Sequence, residues 1–136
     1  MGEAGGNRGV LQRYLDAVWG GHDPDAATDY FAPGYRRHLS PSAEPLDAPA
    51  QIARLHGFMT AFPDATITVE VLTGEGELVA FAGVMRGTHR GAFLGVEPTG
   101  RTVEVHLVDM VRIVDGRMVE HWGGPDLNDL RAQISG

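Results

Sequence analysis

Residues 102–123 read TVEVHLVDMVRIVDGRMVEHWG, and this stretch decides the fold. An Asp-Gly pair at residues 115–116 separates two runs rich in β-branched residues, which is the strongest short-range signal of a β-hairpin. The pattern predicts one strand over residues 102–114 and another over residues 117–123. A two-residue loop also fixes which side chains oppose each other and share a face of the sheet.

In that register, one face of the hairpin is apolar except for two carboxylates. It carries Val105, Leu107, Asp109, Val111, Ile113, Met118, Glu120 and Trp122, whereas His121 falls on the opposite face. Burial of an unpaired carboxylate is costly and raises its pKa, which tunes it for proton transfer near neutral pH. We therefore expect at least one of Asp109 and Glu120 to act in a site. An ion pair with an arginine such as Arg86 is the alternative, and a three-residue loop would separate the two acids.

Composition describes one ordinary globular domain. The chain has 136 residues, of which 43% are hydrophobic and 21% charged, so a single core is expected over residues 8–136 after a flexible tail at residues 1–7. The formal charge of −7 without a basic run argues against nucleic acid as a partner. No signal peptide and no apolar run of membrane-spanning length are visible, which predicts a cytoplasmic protein without a membrane partner.

The residue types that are missing exclude several chemistries. There is no cysteine, and all eleven basic residues are arginines, which excludes thiolate nucleophiles, Cys-ligated zinc and Schiff-base catalysis. No glycine-rich dinucleotide motif opens a helix, and the six histidines lack metal-ligand spacing. We expect neither a cofactor nor a metal. The chemistry that remains open to this chain is proton transfer by His, Asp, Glu, Tyr and Arg side chains.

Helices and strands are segregated along the chain. Helical periodicity predicts helices over residues 8–20 and 49–62, a short helix from residue 23, and a last helix over residues 126–134. Alternation predicts strands over residues 65–72 and 78–86, with a short extended piece at residues 35–39. This order indicates the α+β class. We expect a cone-shaped α+β barrel, in which helices pack on a strongly curved antiparallel sheet around a deep pocket for a hydrophobic small molecule.

Short motifs spread over most of the chain have the spacing of a known family. They are Phe31-Ala32-Pro33-x-Tyr35-x-x-His38, Phe62-Pro63-Asp64, Gly87-Thr88-His89-x-Gly91-x-Phe93-Leu94-Gly95-x-x-Pro98-Thr99-Gly100-Arg101, Arg112-x-x-Asp115-Gly116-Arg117-x-Val119-Glu120-His121-Trp122 and Asp126. From about Tyr14 to Leu130 the chain resembles the SnoaL-like polyketide cyclases, which belong to the ketosteroid-isomerase-like superfamily of α+β cones.

The resemblance implies a pocket for polycyclic or polyketide-derived substrates. Archetypal members close a ring by intramolecular aldol condensation without metal or cofactor: an aspartate removes the proton α to an ester, and a histidine assists. Relatives assist hydroxylation or open epoxides. In this chain the position of the aspartate is Gly123 or its neighbour, and that of the histidine is Asp109. The nearest acids that could replace the aspartate are Asp109, Glu120 and Asp126.

Candidate site residues follow from both arguments. Asp109 is the first candidate for the catalytic base, with Glu120 and His89 as further catalytic candidates. Candidate substrate-binding residues are His38, Tyr14, Tyr35, Arg86, Trp122, Asp126 and His121. Structural roles stay open for most of them, because Tyr14 and Trp122 can belong to the core, His121 to a sheet surface or dimer contact, and Asp126 to a helix N-cap.

Three functions remain open from the sequence alone. The first is a cofactor-free acid/base enzyme of secondary metabolism that closes or isomerises a ring in a polyketide-derived molecule. The second is a non-catalytic or accessory binding protein, including one that assists hydroxylation or epoxide opening. The third is a structural cone with a filled interior. A homodimer is expected in each case, because Val108, Met110 and Val119 make the second hairpin face too apolar for a free surface.

Overall fold

The computed structural model describes residues 3–135, and within them a helical layer packs on one sheet. The α-helices are α1 (Glu3–Leu15), α2 (Ala48–Ala61) and α3 (Leu127–Ser135). The strands are β1 (Phe31–His38), β2 (Thr66–Glu75), β3 (Leu78–Thr88), β4 (Thr102–Val114) and β5 (Arg117–Pro125). A π-helical turn, Asp16–Gly20, continues α1, and a 3-10 helix, Pro24–Asp29, precedes β1.

The sheet has the strand order β1-β5-β4-β3-β2 and stays open at β1 and β2. This confirms the α+β class and the cone-shaped fold, but the sheet is mixed, because β1 runs parallel to β5 while the other neighbours are antiparallel. The expectation of an antiparallel sheet was wrong for β1, which was predicted only as a short extended piece at residues 35–39. Proline is tolerated in an edge strand, and the register of β1 shifts between Phe31 and Arg36, around Pro33.

The start of the chain also differs from the prediction. Residues 1 and 2 of the expected flexible tail lie outside the described residues, and α1 begins at Glu3 rather than at residue 8. Two consecutive glycines, Gly5 and Gly6, lower the helix propensity and suggested the later start. The side-chain amide of Asn7 donates a hydrogen bond to the carbonyl of Gly76 at 3.2 Å, a long-range contact that anchors this end of the helix.

The core lies between the inner face of the sheet and the helices. Alternate residues of β4 from Val103 to Ile113 are buried, including Asp109, whereas the residues between them are exposed or half-buried. Helix α1 contributes Leu11 and Tyr14 to the same core. Asp109 is therefore the carboxylate in an otherwise apolar row, as its strand position predicts.

A β-bulge interrupts the hairpin that the sequence predicts. The loop has the expected two residues, with φ of +52° at Asp115 and +76° at Gly116, which suits a type I′ turn. Ile113 pairs with Met118 as predicted, but Arg112 then pairs with Glu120, so Val119 is an extra residue in β5. One extra residue reverses the facing of every side chain that follows it in the strand.

This reversal corrects three of the predicted orientations. His121 pairs with Val111 and is buried on the inner face, not on the outer face. Glu120 pairs with Arg112 and Trp122 pairs with Met110, both half-buried on the outer side. The prediction that Glu120 and Trp122 share the apolar face with Asp109 is therefore wrong, because it counted a regular ladder from the turn.

Gly123 has a backbone that excludes a side chain. Its φ is +94°, and a Cβ at this position would overlap the carbonyl oxygen of Val108 and lie 3.0 Å from the Cα of Asp109, its cross-strand neighbour. An aspartate cannot occupy this position in the present backbone.

We expect Gly123→Ala to lower the free energy of unfolding by about 2–4 kcal/mol, since backbone strain and overpacking act together. Gly95→Ala is the matched control, because Gly95 has φ of +77° and an added Cβ would meet no atom within 4 Å, so only the left-handed backbone is penalised, by about 1–2 kcal/mol. Urea denaturation of both variants measures the difference. Equal losses would contradict the steric argument.

Candidate active site

A cluster of polar side chains interrupts the apolar inner face where β1, β5 and β4 lie side by side. His121 on β5 and Asp109 on β4 are 5% and 8% exposed, and His121 Nε2 lies 3.2 Å from Asp109 Oδ1. Arg37 on β1 is 2% exposed, and its Nη1 lies 3.6 Å from the same carboxylate oxygen. Three neighbouring strands therefore each contribute one polar side chain to a single buried group.

Tyr35 orients the imidazole of His121. Its hydroxyl lies 3.0 Å from His121 Nδ1. If the hydroxyl donates to Nδ1, the ring carries its proton on Nε2, facing Asp109; this assignment follows from the hydrogen-bond network. Nε2 and Asp109 Oδ1 lie within hydrogen-bond distance, yet both atoms, like Arg37 Nε, lack an aligned hydrogen bond. Among the described residues, the cluster thus retains unused buried polar atoms that a bound molecule could satisfy.

Arg37 was missed by the sequence analysis, although strand alternation places it with Tyr35 on the inner side of β1. Recognising residues 31–38 as an edge strand would have found it. Its guanidinium donates through Nη2 to the carbonyl of Gly123. It fits there because Gly124 has no side chain; a Cβ would lie 2.7 Å from Nη2.

Burial and charge set the protonation states of the cluster. Burial by itself would raise the pKa of Asp109, but His121 and Arg37 more than offset this and hold that pKa below its ordinary value. A raised pKa was expected for an unpaired carboxylate; the alternative of an ion pair with an arginine applies instead, with Arg37 in place of Arg86. Burial lowers the pKa of His121 below 6.5, although Asp109 opposes the shift, so its imidazole is neutral at pH 7.

The tyrosines that flank the cluster stay protonated. Burial, reinforced by the charge of Asp109, raises the pKa of Tyr14, and burial likewise raises the pKa of Tyr35. Tyr14 packs against Tyr30 and Phe31 with ring centroids 5.8 and 5.9 Å apart. Tyr14 therefore belongs to the core and also lies within the electrostatic range of the cluster.

Glu120 and His38 form a separate group on the outer side of the sheet. His38 Nε2 lies 3.0 Å from Glu120 Oε2, and Arg112 Nε lies 3.1 Å from Glu120 Oε1. The His38 ring stacks on Trp122 with centroids 5.2 Å apart. The bulge thus separates Glu120 and Trp122 from Asp109, and His38 joins them rather than the buried cluster.

The remaining candidates lie in other contacts. Arg86 pairs with Glu104 at 2.7 Å on the sheet surface and not with Asp109. His89 is fully buried, and its Nδ1 accepts a hydrogen bond from the backbone N–H of Thr99 at 3.2 Å, which ties together the loop between β3 and β4. Asp126 accepts from the backbone N–H of Asp129 at 3.0 Å and caps α3, as its alternative role predicted. The structure brings none of these three to Asp109.

Among the cavities along the part of the chain that the structure describes are five of about 200–430 Å³ that neither Asp109 nor His121 lines. One of about 320 Å³ is lined by His38, Trp122 and Gly123, and Gly123 pairs with Asp109 across the ladder. The Asp109 side chain retains 12% exposure. The Asp109 carboxylate is therefore nearly enclosed, and the cavity beside Gly123 lies with His38 and Trp122 on the outer side of the sheet.

Two further findings concern the described residues 3–135. They hold no group of three or more His, Asp or Glu side chains placed to bind a metal ion. None of their helices is long and apolar enough to span a membrane.

We expect the stability of the protein to fall as the pH drops below about 6.5. His121 then binds a proton in the unfolded state but not in the folded state, because burial lowers its pKa in the folded protein. The effect reaches at most about 1.4 kcal/mol per pH unit until the folded pKa is passed. His121→Gln should remove this slope in urea denaturation between about pH 7.5 and 5. His106→Gln, at an exposed position on the outer face, is the control and should retain it. An unchanged slope in His121→Gln would contradict the assignment.

Comparisons with known proteins agree with the observed fold. The family model of the SnoaL-like polyketide cyclases matches residues 9–134. The nogalonic acid methyl ester cyclase of Streptomyces nogalater is 30% identical over 112 residues, which cover 81% of this chain and 84% of that protein.

Solved structures give the same picture. A candidate SnoaL-like polyketide cyclase from a Jannaschia species has a TM-score of 0.88 and 28% identity, covering 98% of this chain and 94% of that one. AclR, a candidate hydroxylase from Streptomyces galilaeus, has a TM-score of 0.83 and 29% identity, covering 94% and 95%. The resemblance read from the sequence motifs is confirmed: this chain belongs to the SnoaL-like polyketide cyclase family.

Proposed function

We propose that this protein is a cyclase-type enzyme that acts on a hydrophobic, polyketide-derived small molecule by cofactor-free acid/base catalysis. The observation that carries the proposal is the buried Asp109–His121 pair inside a SnoaL-like cone. A carboxylate and an imidazole in contact, shielded from water, form a recurrent proton-transfer unit. The similarity to a nogalonic acid methyl ester cyclase supports the substrate class.

Asp109 is the proposed base. It is ionised at neutral pH, and it lies directly across the ladder from Gly123, the position at which the family resemblance places the archetypal aspartate. The carboxylate is thus supplied from β4 instead of β5, at nearly the same place in the cone. Ring closure and isomerisation both begin with removal of a proton from carbon next to a carbonyl, and the proposal commits to that shared step.

His121 is the proposed positioning residue for Asp109. Its neutral ring presents Nε2 to the carboxylate, while the hydroxyl of Tyr35 fixes the ring through Nδ1. Because a depressed pKa makes Asp109 a weak base, the substrate must carry an acidic C–H, such as the carbon between two carbonyls of a polyketide. Binding of an apolar substrate would further desolvate the carboxylate and strengthen it as a base.

A second candidate function is assistance of a hydroxylation. The similarity to AclR, at 29% identity over almost the whole chain, favours it. The two functions differ in what turnover requires, because the cyclase-type reaction, unlike an assisted hydroxylation, proceeds with protein and substrate alone.

We expect Asp109→Asn to slow single turnover of a polyketide β-keto ester by about 10²–10⁴-fold, the usual contribution of a positioned general base. Stability should also fall, by about 3–5 kcal/mol, because Arg37 is left as an uncompensated buried charge. Single-turnover kinetics at a temperature where the variant is folded, together with urea denaturation, separate the two effects.

Glu104→Gln is the matched control, since it removes a carboxylate from an exposed ion pair with Arg86. It should change neither the turnover nor, by more than about 1 kcal/mol, the stability. Full activity of folded Asp109→Asn would refute the catalytic role.

We also propose a homodimer through the outer face of the sheet. Val71, Val108 and Met110 are 57%, 59% and 37% exposed there. They form one patch, because Ala82 pairs with both Val71 and Val108 in the neighbouring ladders, and Ala80 pairs with Met110. An exposed apolar patch of this kind suits a two-fold contact.

We expect Val108→Glu to convert the dimer into a monomer, because a buried charge at the centre of the contact would lack a partner. Sedimentation equilibrium at micromolar concentration measures the change. Ala132→Glu, on the exposed side of α3, adds the same charge elsewhere and should leave the dimer intact. A monomeric parent protein would refute the proposal.

A further inference from the structure

Helix α2 carries a cation on its core-facing side that the proposed mechanism has not used. Gln51, Leu55 and Phe58 are buried and lie three or four residues apart, so they mark the stripe of α2 that faces the core. Arg54 is three residues after Gln51 and four before Phe58, and it is half-buried. Its guanidinium therefore extends from the same stripe.

Arg54 makes no contact with a carboxylate among the residues whose side chains the structure describes. Among residues 6–135, whose side chains the structure describes, none of the ion pairs involves Arg54, although Arg37, Arg86 and Arg112 each contact a carboxylate. Nor does its side chain make a hydrogen bond to any of these residues. A partly buried, unpaired cation is costly for the folded state, so its retention on the core side calls for a partner.

The charge of Arg54 affects the pKa values of side chains throughout the cluster. It lowers the pKa of His121, as Arg37 does, and it counteracts the raised pKa values of Tyr14 and Tyr35. Burial and the nearby Arg37 lower the pKa of Arg54 itself, and Asp109 partly opposes this shift. Together with its position beside the core-facing stripe of α2, these effects place Arg54 within electrostatic range of the buried cluster.

The charges of this interior do not balance. Arg37 and Arg54 supply two positive charges, Asp109 supplies one negative charge, and His121 is neutral. The side-chain amide oxygen Oε1 of Gln51 and the Nε of Arg37 are also buried without hydrogen-bond partners among the described residues. One negative charge would neutralise the site, and it is not provided by the described residues.

We propose that Arg54 binds an anionic oxygen of the substrate, either a carboxylate or the enolate oxygen that forms during the reaction. The proposal rests on the proposed function. Asp109 takes the C–H proton, and the electron pair of that bond moves onto the adjacent carbonyl oxygen, which becomes the enolate. In ring closure the enolate carbon then bonds to a second carbonyl carbon, and the new alkoxide takes the proton back from Asp109. A guanidinium near the enolate stabilises the charge where it develops.

The first experiment distinguishes a carboxylate ligand. Anthraquinone-2-carboxylate and its methyl ester are the probes, and their binding to the full chain is measured by titration calorimetry. If Arg54 holds a carboxylate, the parent protein should bind the acid about tenfold or more tightly than the ester, as a charge-assisted hydrogen bond allows. Arg54→Gln should abolish this preference, and Arg54→Lys should keep part of it.

The second experiment distinguishes an enolate ligand. Exchange of the acidic C–H of methyl 3-(2-naphthyl)-3-oxopropanoate with deuterium, above the buffer background, is followed by NMR. If Arg54 stabilises the enolate, Arg54→Gln should slow the exchange by roughly 100-fold while binding of this neutral ester is unchanged. Arg54→Lys should recover part of the rate because it retains the charge.

Arg131→Gln is the matched control for both experiments. Arg131 is exposed on α3, so this variant changes the net charge by the same amount without reaching the interior. Arg54→Gln should melt no lower than the parent, since it removes an unpaired cation, which guards against reading a folding defect as lost binding. If Arg54→Gln alters neither the acid preference nor the exchange rate, or if Arg131→Gln alters them equally, the proposal is overturned.

Failure of the proposed function gives a different pattern. If Asp109→Asn exchanges the C–H as fast as the parent while Arg54→Gln still abolishes the acid preference, Asp109 is not the base and Arg54 remains an anion-binding residue. If Asp109→Asn stops exchange and Arg54→Gln has no effect in either experiment, the assignment of Asp109 as the base is supported and the role of Arg54 is refuted.

Discussion

The β-bulge at Val119 is the constraint on which the candidate site depends. With a regular ladder from the Asp-Gly turn, Glu120 would enter the core beside Asp109, and two carboxylates would share a poorly solvated interior. Two neighbouring carboxylates in a poorly solvated interior cannot both stay ionised without a large free-energy cost. The extra residue turns Glu120 outward to Arg112 and His38, and it turns His121 inward to Asp109. A repulsive pair is thereby replaced by a carboxylate and a neutral imidazole.

The strand order supplies the rest of the cluster. Because β1 lies beside β5 and runs parallel to it, Arg37 is paired in register with His121, and both reach the same oxygen of Asp109. The glycines that follow the bulge make room for this arrangement. Gly124 leaves space for the guanidinium of Arg37, and Gly123 accepts its hydrogen bond through the backbone. The loss of a side chain at Gly123 and the burial of an arginine are thus two aspects of one packing solution.

The cluster is a compromise between stability and chemistry. Arg37 and Asp109 stabilise each other once both are buried, yet replacing such a pair by apolar residues is often neutral or favourable for a fold. Several of its atoms also lack aligned hydrogen bonds. Groups of this kind are retained more readily where a substrate completes them, which is the physical link between the buried Asp109–His121 pair and the acid/base activity that we propose.

The sequence by itself determined the class of fold, the family and the place of Asp109. Those features depend on short-range signals: the segregation of helical and alternating patterns, the Asp-Gly turn, and the strict alternation of β4, which puts Asp109 in an apolar row. Only the tertiary structure decided which side chains surround that carboxylate. One inserted residue in β5 reverses all later side chains and has no local sequence signature, so the facings of Glu120, His121 and Trp122 could not be counted from the turn. Arg37 and Arg54 come from segments distant in sequence. The pairing of β1 with β5 brings Arg37 to Asp109, and the packing of α2 places Arg54 beside the core-facing stripe; local periodicity specifies neither.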